Sequence, residues 1–227
     1  MIETPSPNFD ERKSPVSMLV LHYTGMRDAQ SAIAWLASPE SKVSAHYVVC
    51  EDGQIIRMVD EAKRAWHAGR SHWRGINDVN SASIGIEIVN PGHEWGYRPF
   101  PQAQTGALIP LMHDIVQRHG ITRGNIVGHS DVAPARKQDP GELFPWGQLA
   151  RLRLTLPRPT RNLMDPLWTD SAFLLALERF GYDIAEPDAA VIAFQRRFRP
   201  ELIDGVIDGE CRAILLALLL PKPRGDE

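Results

Sequence analysis

Two hydrophobic periods alternate along this chain, and the points where one gives way to the other mark its elements. Residues 16–23 (VSMLVLHY) form a short, almost unbroken apolar run, the pattern of a strand buried on both faces of a sheet, and it ends on His22 before Thr24-Gly25 breaks it. Asp28 is placed to cap a helix running to about Ala37, with Ile33 and Leu36 at amphipathic spacing and Pro39 beyond its end. Residues 43–50 (VSAHYVVC) and 54–59 (QIIRMV) are β-rich and joined by Glu51-Asp52-Gly53, which predicts an antiparallel hairpin with His46 inside its first strand. Residues 83–89 (SIGIEIV) alternate strictly, with Ile84, Ile86 and Ile88 on one face and Gly85, Glu87 and Val89 on the other. A stripe of Leu108, Leu111, Met112, Ile115 and Val116 predicts a helix over 102–119 stopped by Gly120, which Pro110 should kink or start later. Residues 125–128 read as one more strand, so the class is α/β, a central mixed β-sheet flanked by helices.

The pattern changes after residue 154. Pro157, Pro159 and Pro166 punctuate residues 155–166, a semi-rigid linker by composition, which divides a main domain (1–154) from a small helical one (167–221). Three helices are expected there: about 170–180, stopped by Gly181; 187–198, with Pro187 at its first position; and 208–219, capped by Asp208. A module of this size has little stability of its own.

The chemistry concentrates in residues 128–141 (GHSDVAPARKQDPG). A strand delivers His129, and a proline-bent loop can fold Asp139 back toward it. His22, at the end of another strand, can supply a second imidazole. Two histidines and a carboxylate leave one tetrahedral position open, the pattern of a catalytic zinc site. Glu87 stands alone in an apolar strand, so it is paired, protonated or facing a cleft, and a dry site would raise its pKa toward that of a general base near neutrality. Each residue also has an ordinary reading: a surface loop for His129 and Asp139, a satisfied sheet-edge histidine for His22, a solvent-facing edge position for Glu87. Residues 64–75 (RAWHAGRSHWRG) are dense in Trp, His and Arg, which suits a sugar or a carboxylate-bearing ligand unless the tryptophans only pack beneath the loop.

Composition narrows the partners. With 43% hydrophobic and 23% charged residues the chain is an ordinary globular protein, and a formal net charge of -3 offers no bulk attraction for nucleic acid. Cys50 and Cys211 lie far apart and form no metal or disulfide framework. The first fifteen residues lack the apolar core of a signal peptide, and the apolar stretch at 18–21 is far too short to span a membrane, so a soluble, cytoplasmic protein is expected, with a periplasmic one the alternative if a leader has been removed.

Taken together, Leu21-His22-Tyr23-Thr24, residues 43–47 (VSAHY), Trp66-His67-Ala68-Gly69, residues 83–87 (SIGIE), Gly128-His129-Ser130-Asp131 and Lys137-Gln138-Asp139-Pro140-Gly141 resemble the zinc-dependent N-acetylmuramoyl-L-alanine amidases of the AmpD and AmiD type. The resemblance implies a mixed sheet with zinc in a groove at one side. It also implies hydrolysis of the amide between N-acetylmuramic acid, or its anhydro form, and the first L-alanine of a muropeptide or of the intact sacculus. Carried over by motif, His22, His129 and Asp139 hold Zn2+, Glu87 is the base, and Lys137 balances developing negative charge. Trp66, His67 and Arg136 are the candidate substrate contacts, and His46, His67 and His72 are rival imidazoles for the metal. The C-terminal part resembles a three-helix peptidoglycan-binding module through Gly181-Tyr182, Ala193-Phe194-Gln195 and residues 204–208 (DGVID), although Cys211 stands where that family usually has threonine. Two other functions fit the same residues: a non-catalytic peptidoglycan-recognition module, and a zinc hydrolase acting on a different amide.

Overall fold

The computed structural model describes residues 1–161 and 163–220. Along the chain the elements are β1 (Ile2–Glu3), β2 (Phe9–Glu11), β3 (Met18–Tyr23), α1 (Ala29–Ala37), β4 (Tyr47–Val49), β5 (Ile55–Arg57), β6 (Lys63–Ala65), α2 (Val79–Ala82) and β7 (Ser83–Ile88). There follow α3 (Gly92–Trp95), α4 (Gln102–His119), β8 (Ile126–Gly128), α5 (His129–Val132), α6 (Trp146–Arg151), α7 (Asp170–Phe180), α8 (Pro187–Phe198) and α9 (Gly209–Leu219). Six strands make one mixed sheet in the order β1-β5-β4-β7-β3-β8, while β2 and β6 form a separate antiparallel ribbon. The four strands β4, β7, β3 and β8 are mutually parallel. The expected hairpin is present, with β5 antiparallel to β4 and Val48 opposite Ile56, although both strands are shorter than their apolar pattern and His46 lies just before β4.

The alternation in β7 sorts the two faces. Leu19 and Leu21 of β3 and Ile84, Ile86 and Ile88 of β7 pack against Leu108, Met112 and Ile115 of α4. That helix begins at Gln102 and runs through Pro110. The later start allowed for by the proline is not adopted. Pro110 and Gly106, whose carbonyl loses its helical donor, are both exposed, so water can take that carbonyl.

The opposite face determines where the C-terminal helices go. Met18, Val20 and Val127 belong to the same continuous cluster as Trp73 and as Phe173, Leu177, Tyr182 and Phe194 of the helical module. All three predicted helices form, with Asp208 capping α9 through the Cys211 N–H at 2.9 Å. The boundary drawn at residues 155–166 separates sheet from helices along the sequence but not in packing. Two short apolar strands and a small helical module each lack cover, and each supplies it to the other. Residue 162 of that linker and residue 221 at the end of the module lie outside the described residues.

Candidate metal centre

The register of three parallel strands assembles the site. Leu21 of β3 is opposite Gly128 of β8, and His22 is opposite Glu87 of β7. His129, the first residue beyond Gly128, therefore arrives beside His22, at the carboxyl ends of the strands where open α/β sheets leave a crevice. Asp139 is brought to the same point by its own loop, whose carbonyl accepts the Ser130 N–H at 2.9 Å. The outcome is a tight buried triplet: His22 Nδ1 lies 2.9 Å from His129 Nδ1, and both lie 3.1 Å from Asp139 Oδ2. Among the described residues these three form the one such cluster that could hold a metal ion.

Hydrogen bonds behind the two imidazoles decide which nitrogens face the centre. Ser83 has one hydroxyl proton and gives it to the Val79 carbonyl at 2.5 Å, so at 3.2 Å it must accept from His67 Nε2. His67 Nδ1 is then an acceptor, and His22 Nε2 donates to it at 3.0 Å. Burial, and then the neighbouring His129, lower the pKa of His22 to about 4, so near neutral pH its ring carries a single proton, the one given to His67. On the other side His129 Nε2 donates to the Ala68 carbonyl at 3.1 Å. With both rings neutral, as a bound cation requires, both Nδ1 atoms present lone pairs to the centre, beside a carboxylate oxygen. Three acceptors at these separations repel unless a positive charge sits among them. Burial opposes the ionisation of Asp139, but whenever the imidazoles are protonated, the charge and hydrogen bond of His129, and then those of His22, hold its carboxyl well below the usual carboxylate range, so a carboxylate faces the centre in either state. Imidazole nitrogens oriented by outer hydrogen bonds, together with one carboxylate, are a zinc donor set with a position left open.

Glu87 borders this triplet. Its Oε2 is fully shielded and has no hydrogen-bond partner, and Val48, its neighbour on the β4 side, is apolar and buried. Burial, and then the charge of Asp139, raise its pKa well above the ordinary value, while Lys137 pulls it back. Lys137 is exposed on the loop before Asp139 and lines the same cleft, a cavity of about 600 Å³. Arg136 also borders the cleft, but its guanidinium donates to the carbonyls of Ala68, at 3.1 Å, and Arg70, tying the loop that carries Asp139 to the Trp66-His67 loop.

Trp66 reaches the cleft wall with its indole N–H on Asp10 at 2.8 Å. His67 also borders it, yet both of its ring nitrogens are engaged inside the protein. The other two imidazoles considered for the metal lie apart from the triplet: His46 accepts the Gly85 N–H at 2.9 Å, and His72 pairs with Asn77 at 2.9 Å. The cleft contains a chain that sequence reading did not single out. Tyr23 Oη lies 3.0 Å from His93 Nδ1, and His93 Nε2 lies 3.2 Å from Glu142, with Tyr97 stacked on the imidazole. The aromatic cluster of Trp95, Tyr97 and Phe100 was its one visible signal.

With this geometry in hand, the chain can be set beside known proteins. The family model of N-acetylmuramoyl-L-alanine amidases matches residues 12–142, which include all five residues of the proposed centre. The chain is 40% identical to the N-acetylmuramoyl-L-alanine amidase AmiD of Escherichia coli strain K12, in an alignment that covers 90% of this chain and 82% of that protein. AmiD from E. coli, solved with the substrate anhydro-N-acetylmuramic acid-L-Ala-D-gamma-Glu-L-Lys, superimposes with a TM-score of 0.81 at 35% identity, covering 93% of this chain and 97% of that one. AmpDH3 from Pseudomonas aeruginosa gives 0.82 at 34% identity, covering 89% and 91%. The likeness therefore extends beyond residue 142 into the helical module. Since the family match spans more than half of the sequence and a relative is 40% identical across 90% of it, the chain belongs to the N-acetylmuramoyl-L-alanine amidase family.

Proposed function

We propose that this chain hydrolyses the amide joining the lactyl group of N-acetylmuramic acid, in its anhydro or intact form, to the L-alanine of the stem peptide, with zinc held by His22, His129 and Asp139. The observation that carries this reading is the convergence of two imidazole Nδ1 atoms and Asp139 Oδ2 within 3.1 Å of one another, next to a carboxylate without a partner. Zinc bound there supplies a Lewis acid for the scissile carbonyl and lowers the pKa of water toward neutrality.

The protein supplies the rest. Glu87, which lines the cleft and has a raised proton affinity, takes a proton from the attacking water and returns it to the leaving nitrogen of L-alanine. Lys137 places a cation where negative charge develops on the carbonyl oxygen. The aromatic and basic walls of the cleft, Trp66 and Arg136 among them, bind the sugar and peptide around the reacting bond.

Cytoplasmic turnover of soluble muropeptides is the setting we favour, because both cysteines are buried free thiols. Among the described residues no helix is long and apolar enough to cross a membrane. Digestion of anhydro-muropeptide and of intact sacculi, followed by mass spectrometry, tests the function. Intact stem peptides with free L-alanine termini are the expected product, and an unchanged profile from zinc-loaded protein would refute the activity. The relative rates on the two substrates, together with cell fractionation, test the setting.

A further inference from the structure

His129 owes its position to a carboxylate that is not itself a ligand. Asp131 is 1% exposed, and its Oδ2 accepts the Gly128 N–H at 2.7 Å, which closes the turn that leads from β8 into His129. A buried carboxylate is costly unless donors surround it. Two of the partners of Asp131 come from the C-terminal module, a hydrogen-bond donor on the segment after α7 and an ion-pair partner on α8. The Tyr182 O–H donates to Asp131 Oδ1 at 2.6 Å, and Arg197 Nε stands 3.8 Å from Oδ2. Both partners are buried and fixed in place. The Tyr182 ring lies edge-on to Trp73 at 5.1 Å, and the Arg197 guanidinium lies 3.2 Å from the centre of the Trp146 ring.

We infer that Tyr182 and Arg197 are positioning residues for the metal ligand His129, acting through Asp131, so that the C-terminal helical module is part of the support of the metal centre. The inference rests on the reading of His22, His129 and Asp139 as the zinc site. The same sheet face carries both ends of the arrangement: Val20 and Val127 are covered by the module, and His22 and His129 continue those strands. Without the Tyr182 hydroxyl, Asp131 loses its shortest side-chain donor and turns toward water, and the Gly128 N–H it holds is released with the backbone of His129. The ligand then samples orientations that do not meet the ion.

Zinc affinity of the full chain, measured by competition with a chelating dye, tests this in the parent, Tyr182→Phe, Arg197→Met and Phe173→Leu. Phe173 is buried in the same module core without touching Asp131, so it controls for lost stability alone. Tyr182→Phe should bind zinc about 10–100-fold more weakly, the usual effect of removing an outer support of a ligand. Arg197→Met should show a smaller loss, and Phe173→Leu should retain the parent affinity although it melts earlier. In the Asp131→Asn background, Tyr182→Phe should have little further effect. The visible spectrum of the cobalt-substituted protein should change in Tyr182→Phe and not in Phe173→Leu. Parent-like zinc affinity in both Tyr182→Phe and Arg197→Met would overturn the inference, and if Tyr182→Phe does not fold, Arg197→Met decides it. A parent that binds no zinc would instead overturn the reading of the metal centre.

Discussion

His22 and Glu87 are cross-strand partners in the parallel pair β3–β7, so the proposed metal ligand and the proposed base stand side by side on one face of the sheet. Strands in such a pair lie about 4.8 Å apart, a spacing set by backbone hydrogen bonds and not by side-chain packing. The sheet thus fixes the lateral placement of the two groups.

Replacing Glu87 with Gln should lower kcat by about 10²–10⁴-fold, the usual share of a general base. It should also stabilise the metal-free protein at neutral pH. The pKa of Glu87 is raised in the folded state, so above about pH 4.5 the unfolded chain binds fewer protons than the native one and stability falls as pH rises. The difference between variant and parent should therefore vanish below pH 4.5 and grow above it, as read from denaturant midpoints across pH. In kcat/KM, the parent should show an acid limb that disappears in the variant.

His67→Phe removes the acceptor that holds the single ring proton of His22 on Nε2. Zinc affinity should fall about 10–100-fold, with a smaller loss for Ser83→Ala, which leaves His67 but takes away its outer partner. Zinc retained after dialysis against a chelator, measured by atomic absorption, would show it. Affinity unchanged in both variants would mean that the tautomer of His22 is fixed by other means.

The sheet strands that matter most were legible because burial wrote them: the apolar run of β3 and the strict alternation of β7 each ends beside a residue of the centre. Three residues of the candidate centre were legible for a related reason, since His22, His129 and Glu87 sit at or next to strand ends that the pattern locates, whereas Asp139 lies on a loop. The ribbon β2–β6 was not, because Asp10, Glu11, Lys63 and Arg64 are polar and mostly pair across the ribbon or to solvent. Nor were α2, α5 and α6, helices of four to six residues, too short for a periodic signal. The bond from His67 to His22 and the reach of Tyr182 to Asp131 span 45 and 51 residues, and no local pattern encodes such pairings.

Gly85 faces the same side of the sheet as Glu87, and a Cβ there would lie 2.4 Å from the His67 ring. Gly85→Ala should therefore cost about 1–3 kcal/mol of stability through overpacking and also displace His67 from His22. The two effects separate experimentally: a lowered denaturation midpoint reports the first, and weaker zinc binding by the still-folded variant reports the second. A variant that loses stability yet keeps the parent zinc affinity would show that His67 can shift without losing its bond to His22.

A last expectation concerns acid stability, away from the metal. Glu61 accepts from the Tyr47 hydroxyl at 2.7 Å, from Arg118 Nη2 at 2.9 Å and from His119 Nε2 at 2.7 Å, joining β4 to the end of α4. Burial opposes its ionisation, but the bonds from Arg118, His119 and Tyr47 more than offset this and hold its pKa at about 2. The folded pKa lies below the unfolded value, so the unfolded chain binds more protons between about pH 4.5 and pH 2. The contribution of Glu61 is complete above that window and is lost as pH falls through it. Glu61→Gln should be less stable than the parent by about 1–2 kcal/mol at pH 7, the exposure of Arg118 limiting the loss. The gap should narrow steadily from pH 4.5 toward pH 2. Denaturant titrations at pH 7, 4 and 3 measure it, and a gap that stays constant across these values would place the stabilising role of the residue in packing instead of charge.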